Sequence, residues 1–414
     1  MSYKHSYFKL MVICGFLLFL SRLSYSQTVN IGTMVITKGT EVSTLFDFDN
    51  TQQGDLINNG SFYIYNDWNN DGLVSFTPEL ESSSTIFQGL YGKQQISGSM
   101  PSDFYDIVLD NLTPQPAFEL SGDIMISGRA EFKGGIVNGD DFGGLVRFQS
   151  GATHRKVGDH SFVDGPVLKV GGEHFIYPTG DDGVFRTASI SNTGEIKNGF
   201  ELQYFLQNSD SQFPHLNKEV TIDLINNKEY WVVDQISGDT DLVLTLSWDE
   251  RTTPAALLEE NSGQELHIVR WDDFNQIWVD EGGAIDTGER IVTSAISGFG
   301  VFTLAKVLVE VIPTEDLTVF NGMSPNGDGL NDFFYIKGLE LFPENSVQIY
   351  DRWGAKVFET NGYDNNGTRF EGYANGGGRY KNKAKLPNGT YFYLIKYKSG
   401  IAKKNLPGYL YINH

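Results

Sequence analysis

The sequence contains little cysteine, few basic residues and no long apolar run, and each scarcity excludes a class of protein. Cys14 is the single cysteine among 414 residues, so the chain forms no internal disulfide. Acidic residues outnumber basic ones by 52 to 31, which disfavours nonspecific nucleic-acid binding. The longest apolar run, Leu10–Leu20, is shorter than the roughly 20 residues that a membrane-spanning helix needs. We therefore predict no transmembrane span in the mature chain.

Motifs typical of enzymes are also missing. The chain contains no Gly-x-Ser-x-Gly elbow, P-loop or dinucleotide loop, and no His-Glu-x-x-His zinc pattern. A glycoside hydrolase needs two carboxylates across a cleft. The acidic doublets Asp140-Asp141, Asp181-Asp182 and Asp272-Asp273 are more typical of solvated turns. The sequence therefore predicts a protein that is not an enzyme.

Residues 1–26 have the pattern of a secretory signal peptide. Lys4 and Lys9 precede the apolar run, and Ser24-Tyr25-Ser26 is a small-x-small cleavage site. The mature chain would begin at Gln27 and contain no cysteine. We expect an exported protein in which each domain is stabilised by its own core.

The remaining chain predicts an all-β protein with three units. Residues 27–165 consist of short β-rich runs separated by Gly- and Asn-rich turns, which favours a β-solenoid-like domain, with an irregular β-sandwich as the alternative. The recurrence of Ile96-Ser97-Gly98 as Ile126-Ser127-Gly128 suggests repetition, without a fixed repeat length. Residues 166–308 contain longer alternating strands and four of the six tryptophans, typical of an immunoglobulin-like β-sandwich. Residues 309–316 would form a linker.

Residues 317–414 form a third unit of opposite charge, with 12 basic against 8 acidic residues. The segment Ser324–Phe334 contains Asn-Gly and Asp-Gly steps that favour tight turns. Val347–Phe358 predicts a hairpin in which Gly354 takes the left-handed position. In the strand Gly389–Lys398, alternation places Tyr391, Tyr393, Ile395 and Tyr397 on one face and Phe392, Leu394, Lys396 and Lys398 on the other.

Three segments of this unit, Ser324–Asp332, Ile349–Gly354 and Leu386–Tyr393, resemble the gliding-motility-associated C-terminal domain of Bacteroidota. That family is the type B sorting domain of the type IX secretion system. The resemblance implies a small immunoglobulin-like sandwich that acts as a secretion signal. It also implies export through the periplasm to the cell surface or the exterior, with the type IX translocon and an outer-membrane protein as partners. The sorting-motif residues would be Asn326, Gly327, Asp328, Gly329, Asn331, Asp332, Tyr350, Arg352, Trp353 and Gly354. We expect Trp353 to anchor the fold, with direct contact to the translocon as the alternative.

The only cofactor that the sequence suggests is calcium. The oxygen-bearing side chains of Asn326, Asp328, Asn331 and Asp332 could chelate it, although Asn and Asp also cap tight turns by bonding to their own backbone. Residues 67–72 match the first half of an EF-hand loop, but Pro78 occupies the twelfth position. We therefore expect residues 67–72 to form a solenoid corner.

For the function of residues 27–310 the sequence favours an adhesive or structural role. A secreted glycan-binding module and a carbohydrate-active enzyme are the alternatives, so a surface glycan or protein is the expected ligand. Exposed coplanar Trp or Tyr side chains would indicate glycan binding, whereas burial of Trp231, Trp248 and Trp271 would argue against it. Two acids facing each other in a groove would indicate an enzyme.

Overall fold

The computed structural model describes residues 26–90, 92–259, 263–308, 317–375, 380–399 and 402–414. The predicted linker and all but the last residue of the predicted signal peptide lie outside these residues. The chain is nearly all β, as predicted, with an N-terminal β-solenoid of about six turns. Among the described helices, none is long and apolar enough to cross a membrane. We call residues 26–308 the body and residues 317–414 the terminal unit.

The solenoid is built from short parallel strands that stack turn on turn. The strands are β1 (Gln27–Asn30), β2 (Thr33–Ile36), β3 (Glu41–Thr44), β4 (Asp47–Asn50), β5 (Asp55–Asn58), β6 (Ser61–Ile64), β7 (Trp68–Asn70), β8 (Leu73–Ser75), β9 (Ser84–Phe87), β10 (Gln94–Ser97), β11 (Ser102–Phe104), β12 (Asp106–Asp110), β13 (Phe118–Leu120), β14 (Ile124–Ile126), β15 (Arg129–Gly134), β16 (Val137–Asn138), β17 (Val146–Phe148), β18 (Thr153–Arg155), β19 (Val163–Asp164) and β20 (Val167–Val170). A 3₁₀ turn spans Pro78–Leu80.

Within the described residues these strands line three faces. One face is the sheet β1-β4-β7-β10-β13-β16-β19, and a second is β3-β6-β9-β12-β15-β18. The third comprises β2-β5-β8 and then β11-β14-β17-β20. Because every third strand pairs in parallel register, residues at equivalent positions of successive turns lie directly above one another.

Stacked side chains explain why this sequence forms turns of a solenoid. Phe48 and Trp68 occupy equivalent positions of successive turns, and their rings stack in the core with centroids 4.8 Å apart. Asn30, Asn50 and Asn70 recur every 20 residues at a buried corner and form a hydrogen-bonded ladder. Of the expected corner at residues 67–72, residues 68–70 form the strand β7, in which Trp68 points into the core and Asn70 belongs to this ladder, and a bend follows at residues 71–72.

The Ile-Ser-Gly recurrence is not the repeat of the solenoid. Ile96 lies in β10 and Ile126 in β14, which belong to different faces. The regular spacing is instead the 20 residues that separate Asn30, Asn50 and Asn70, and it marks the first turns of the solenoid.

The rest of the body is antiparallel. Its elements are β21 (Phe175–Tyr177), β22 (Gly180–Asp181), β23 (Val184–Phe185), β24 (Ala188–Ile190), β25 (Gly199–Phe205), β26 (Ile222–Ile225), β27 (Tyr230–Ser237), β28 (Val243–Ser247), α1 (Ala255–Leu258), β29 (Gln264–Asp272), β30 (Ile277–Asp280), β31 (Ala284–Asp286), β32 (Ile291–Ala295) and β33 (Gly300–Leu308), with a 3₁₀ turn at Ser209–Ser211.

Two sheets pack face to face in this region. One is β21-β24-β28-β32-β31, and the other runs β25-β27-β33-β29-β30, with β26 paired to β33. The second sheet is continuous with the solenoid because β20 pairs in parallel with β17 and antiparallel with β25. One hydrophobic cluster accordingly extends from Ile36 in the solenoid to Leu304 in β33. The sheet and the hydrophobic core thus continue across residue 165. An immunoglobulin-like topology of residues 166–308 stays a prediction.

The terminal unit is a separate β structure with its own core. It contains β34 (Thr318–Val319), β35 (Gly322–Met323), β36 (Ile336–Lys337), β37 (Asn345–Tyr350), β38 (Lys356–Asn361), β39 (Gly389–Ser399) and β40 (Ala402–Ile412), with a 3₁₀ turn at Leu339–Leu341. The terminal sheet has the order β35-β40-β39-β37-β38. The predicted alternation in β39 is confirmed: Tyr391, Tyr393, Ile395 and Tyr397 lie in the unit's own core.

Candidate functional site

The first predicted motif forms an exposed loop that its own side chains hold in shape. The Asp332 carboxylate accepts hydrogen bonds from the backbone N–H groups of Gly327 and Gly329, both at 2.7 Å. These bonds stabilise the anion and lower the pKa of Asp332. The Asp328 carboxylate accepts from the N–H of Leu330, and the Asn326 side-chain oxygen accepts from the N–H of Asp328. Gly327 and Gly329 have φ angles of +84° and +86°, which favour glycine.

This geometry is that of a capped turn, the alternative to a calcium loop. Oxygens of Asn326, Asp328 and Asp332 already accept backbone hydrogen bonds, and Asn331 contributes a left-handed residue with φ +54°. Among the described residues, no group of three or more His, Cys, Asp or Glu is placed to hold a metal ion. Calcium binding by this loop stays a prediction.

The second motif is the tight turn between β37 and β38. Asp351 is buried, and its Oδ1 accepts hydrogen bonds from the N–H groups of Trp353 and Ala355, both at 2.9 Å. Gly354 adopts φ +72°, so the predicted left-handed position is confirmed. Trp353 is 49% exposed, with the Arg352 guanidinium 5.0 Å from its ring centroid. The turn is held by Asp351 and the indole lies at the surface, so a role of Trp353 in anchoring the fold stays a prediction, as does contact with the translocon.

The third motif contributes core and backbone contacts. The Tyr391 hydroxyl donates to the carbonyl of Pro387 at 2.9 Å, and the Tyr393 hydroxyl lies 3.3 Å from the side-chain oxygen of Asn321. Burial raises the pKa of Tyr393. These residues shape the terminal unit rather than its surface.

The terminal unit packs on the body, and sequence reasoning missed this contact. Tyr350, Phe392 and Leu394 form a buried cluster with Val243 and Ala295 of the body. The turn of the second motif takes part, since a Cβ placed on Gly354 would lie 1.7 Å from the Cβ of Ser191. The first motif lies elsewhere, next to Arg369, whose positive charge also lowers the pKa of Asp332. The first and the second motif thus have different surroundings.

A comparison with protein families identifies the terminal unit. Residues 317–412 match the family model described as the CHU_C Type IX secretion signal domain. The terminal unit is a type IX secretion signal. The predicted resemblance is confirmed, and it implies export to the cell surface or the exterior through recognition by the type IX machinery. In a search of curated proteins, none matches the chain.

The fold brings together acidic residues of the body that are distant in sequence. Asp164 at the end of β19 is half-buried next to the acidic doublets at 140–141 and 181–182. Burial, followed by the charges of Asp181 and Asp140, raises the pKa of Asp164 to about 7. Gln203 donates to Asp140 at 2.6 Å, and the N–H of Leu206 donates to Asp181 at 2.7 Å. Two of the three predicted turn doublets thus contribute to one acidic surface.

The tryptophans of the body are mainly core residues. Trp231, Trp271 and Trp278 are at most 3% exposed. Trp248 is partly buried, and the Arg290 guanidinium lies 5.7 Å from its ring centroid. The rings of Trp231, Trp271 and Trp278 are therefore closed to a sugar. Their burial argues against a tryptophan-based glycan platform.

Proposed function

We propose that this protein crosses the periplasm, is exported by the type IX machinery and acts outside the cell as an adhesive or structural protein. The observation that carries the proposal is the secretion signal domain at residues 317–412, attached to a body whose core is continuous from solenoid to sandwich. The signal accounts for export, and the body is the cargo.

The form of the body supports an adhesive or structural role. A solenoid presents rows of outward-facing side chains along flat stacked sheets, which suits contact with extended partners. Sharing one core with the sandwich makes this surface stiff, because the two parts cannot separate without exposing apolar side chains. A surface protein or glycan is the proposed ligand, and an outer-membrane protein is the proposed partner during export.

Two experiments test the two parts of this proposal. Cells that produce residues 1–316 should accumulate the protein in the periplasm, whereas the full chain should reach the surface or the medium, as measured by fractionation and by antibody labelling of intact cells. Surface appearance of the truncated chain would contradict the export role. Cells that lack the protein should attach less well to protein- or glycan-coated surfaces, and unchanged attachment would contradict the adhesive role.

A carbohydrate-active enzyme is the second candidate, and Asp164 is the observation that favours it. A carboxyl with a pKa of about 7 next to other carboxylates has the protonation behaviour of a general acid. Screening the purified protein against soluble polysaccharides tests this directly. Hydrolysis that Asp164→Asn abolishes would support it, and the absence of hydrolysis by the wild type would leave the adhesive or structural role.

A further inference from the structure

The terminal sheet has apolar side chains on both faces, and the body covers the outer one. Phe392 and Leu394 of β39 and Tyr350 of β37 point away from the unit's own core. They are nevertheless at most 4% exposed. On a free terminal unit this face would be open to water, so burial of these side chains depends on the body.

The body offers a matching surface of small side chains. Val243 of β28 and Ala295 of β32 are paired across the sheet. They lie on its outer side, while Leu244 and Val292 point into the body's core. Large aromatic and leucine side chains of one sheet therefore pack against short side chains of the other, which lets the two sheets approach closely.

Polar contacts surround this apolar centre. Lys396 follows Leu394 on the same face of β39, and its ammonium lies 2.5 Å from the carboxylate of Asp241. At another edge the backbone of Gly354 abuts Ser191. A desolvated apolar centre with a partly exposed ion pair at its rim is the anatomy of a protein–protein interface.

We propose that the outer face of the terminal sheet is a binding surface for the outer face of β28 and β32, and that this contact holds the two parts together without the connecting residues 309–316. A cut in that connection would leave the secretion signal bound to its cargo. The turn that carries Tyr350 and Gly354 is then part of this interface, and the exposed loop at 326–332 is left for other partners.

The test uses the full chain with a specific protease site inserted between residues 309 and 316. After cleavage, we expect the body and the terminal unit to elute together from a size-exclusion column at micromolar concentration. Leu394→Asp should separate them into two peaks. The matched control is Leu341→Asp, a leucine of the same unit that is 72% exposed, and it should elute as the wild type does.

A charge exchange keeps the test independent of folding defects. Asp241→Lys faces Lys396 with a like charge and should weaken the affinity of the cleaved parts by between about 2-fold and 10-fold, as expected for a rim ion pair. Adding Lys396→Asp should restore it. Separation of the cleaved wild type into two folded parts, judged by circular dichroism of each peak, would overturn the proposal. So would charge variants that bind as the wild type does.

Discussion

Asn50 is the side chain on which the solenoid corner depends most. It is fully buried, and its amide group makes three hydrogen bonds. Nδ2 donates to Oδ1 of Asn70 at 2.8 Å and to the carbonyl of Leu73 at 3.0 Å, while Oδ1 accepts from Nδ2 of Asn30 at 2.8 Å. Substitution by alanine leaves all three partners in place and removes their bonds.

The loss in free energy of unfolding depends on which of these three partners still has another hydrogen bond after the substitution. Oδ1 of Asn70 still accepts from the N–H of Gly72 at 3.2 Å, whereas the carbonyl of Leu73 loses this donor. Nδ2 of Asn30, which is also buried, loses its acceptor as well. A buried polar group left without a partner costs about 1–3 kcal/mol. We therefore expect Asn50→Ala to lower the free energy of unfolding by roughly 2–4 kcal/mol.

The matched control is Asn30→Ala at the first turn of the same ladder, which removes the bond to Asn50 and a long one of 3.4 Å from the N–H of Gly32, and it should cost about 1 kcal/mol. Urea unfolding of the full chain, followed by far-UV circular dichroism, measures both differences. Equal effects of the two substitutions, or an Asn50→Ala variant as stable as the wild type, would refute the view that the ladder stabilises the corner.

Three further outcomes are expected. Glu229→Ala should destabilise the body by roughly 3–5 kcal/mol in urea unfolding, because it leaves the guanidinium of Arg186, only 2% exposed, without its nearest carboxylate. Burial opposes the charge on His267, but the carboxylate of Asp280, hydrogen-bonded to Nδ1 at 2.9 Å, and that of Glu265, 3.6 Å from Nε2, outweigh it and raise the pKa of His267 to about 9. Its stabilising contribution should be complete below about pH 6.5 and lost as the pH rises through 9, and His267→Gln should abolish this dependence in melting curves. A chelator should leave the melting temperature unchanged if the loop 326–332 needs no calcium, and a lowered temperature would show that a divalent cation stabilises the protein.

Two features of the terminal unit were predictable because they depend on interactions between neighbouring residues. The left-handed turn at Gly354 and the alternation of Tyr391 and Phe392 depend on residues close in sequence, so the sequence pattern contains them. The exposure of Trp353 was not predictable in this way. The Asp351 carboxylate accepts the hydrogen bonds of the turn, while the indole is 49% exposed and lies next to the Arg352 guanidinium.

Contacts between segments that are distant along the chain could not be predicted from the sequence. The carboxylates of Asp140, Asp164 and Asp181 lie in or just after β16, β19 and β22, and only the packing of these strands shows that they meet. The solenoid repeat was visible in principle, through Asn30, Asn50 and Asn70, but short apolar runs of variable composition obscured it. Asn30, Asn50 and Asn70 mark the first turns more regularly because each side chain hydrogen-bonds to the next one along the ladder.

The strand β39 contained a clue to the docking of the terminal unit. A strand at a free surface alternates apolar with polar residues, whereas β39 carries Phe392 and Leu394 on the face opposite its own core before the pattern changes to Lys396 and Lys398. This change marks the edge of the area that the body covers. Lys396 reaches the body at Asp241, while Lys398 pairs with Glu344 of its own unit. The apolar half of the face therefore binds the body, and the contrast between acidic body and basic terminal unit acts at the rim, where charges select orientation more than they add affinity.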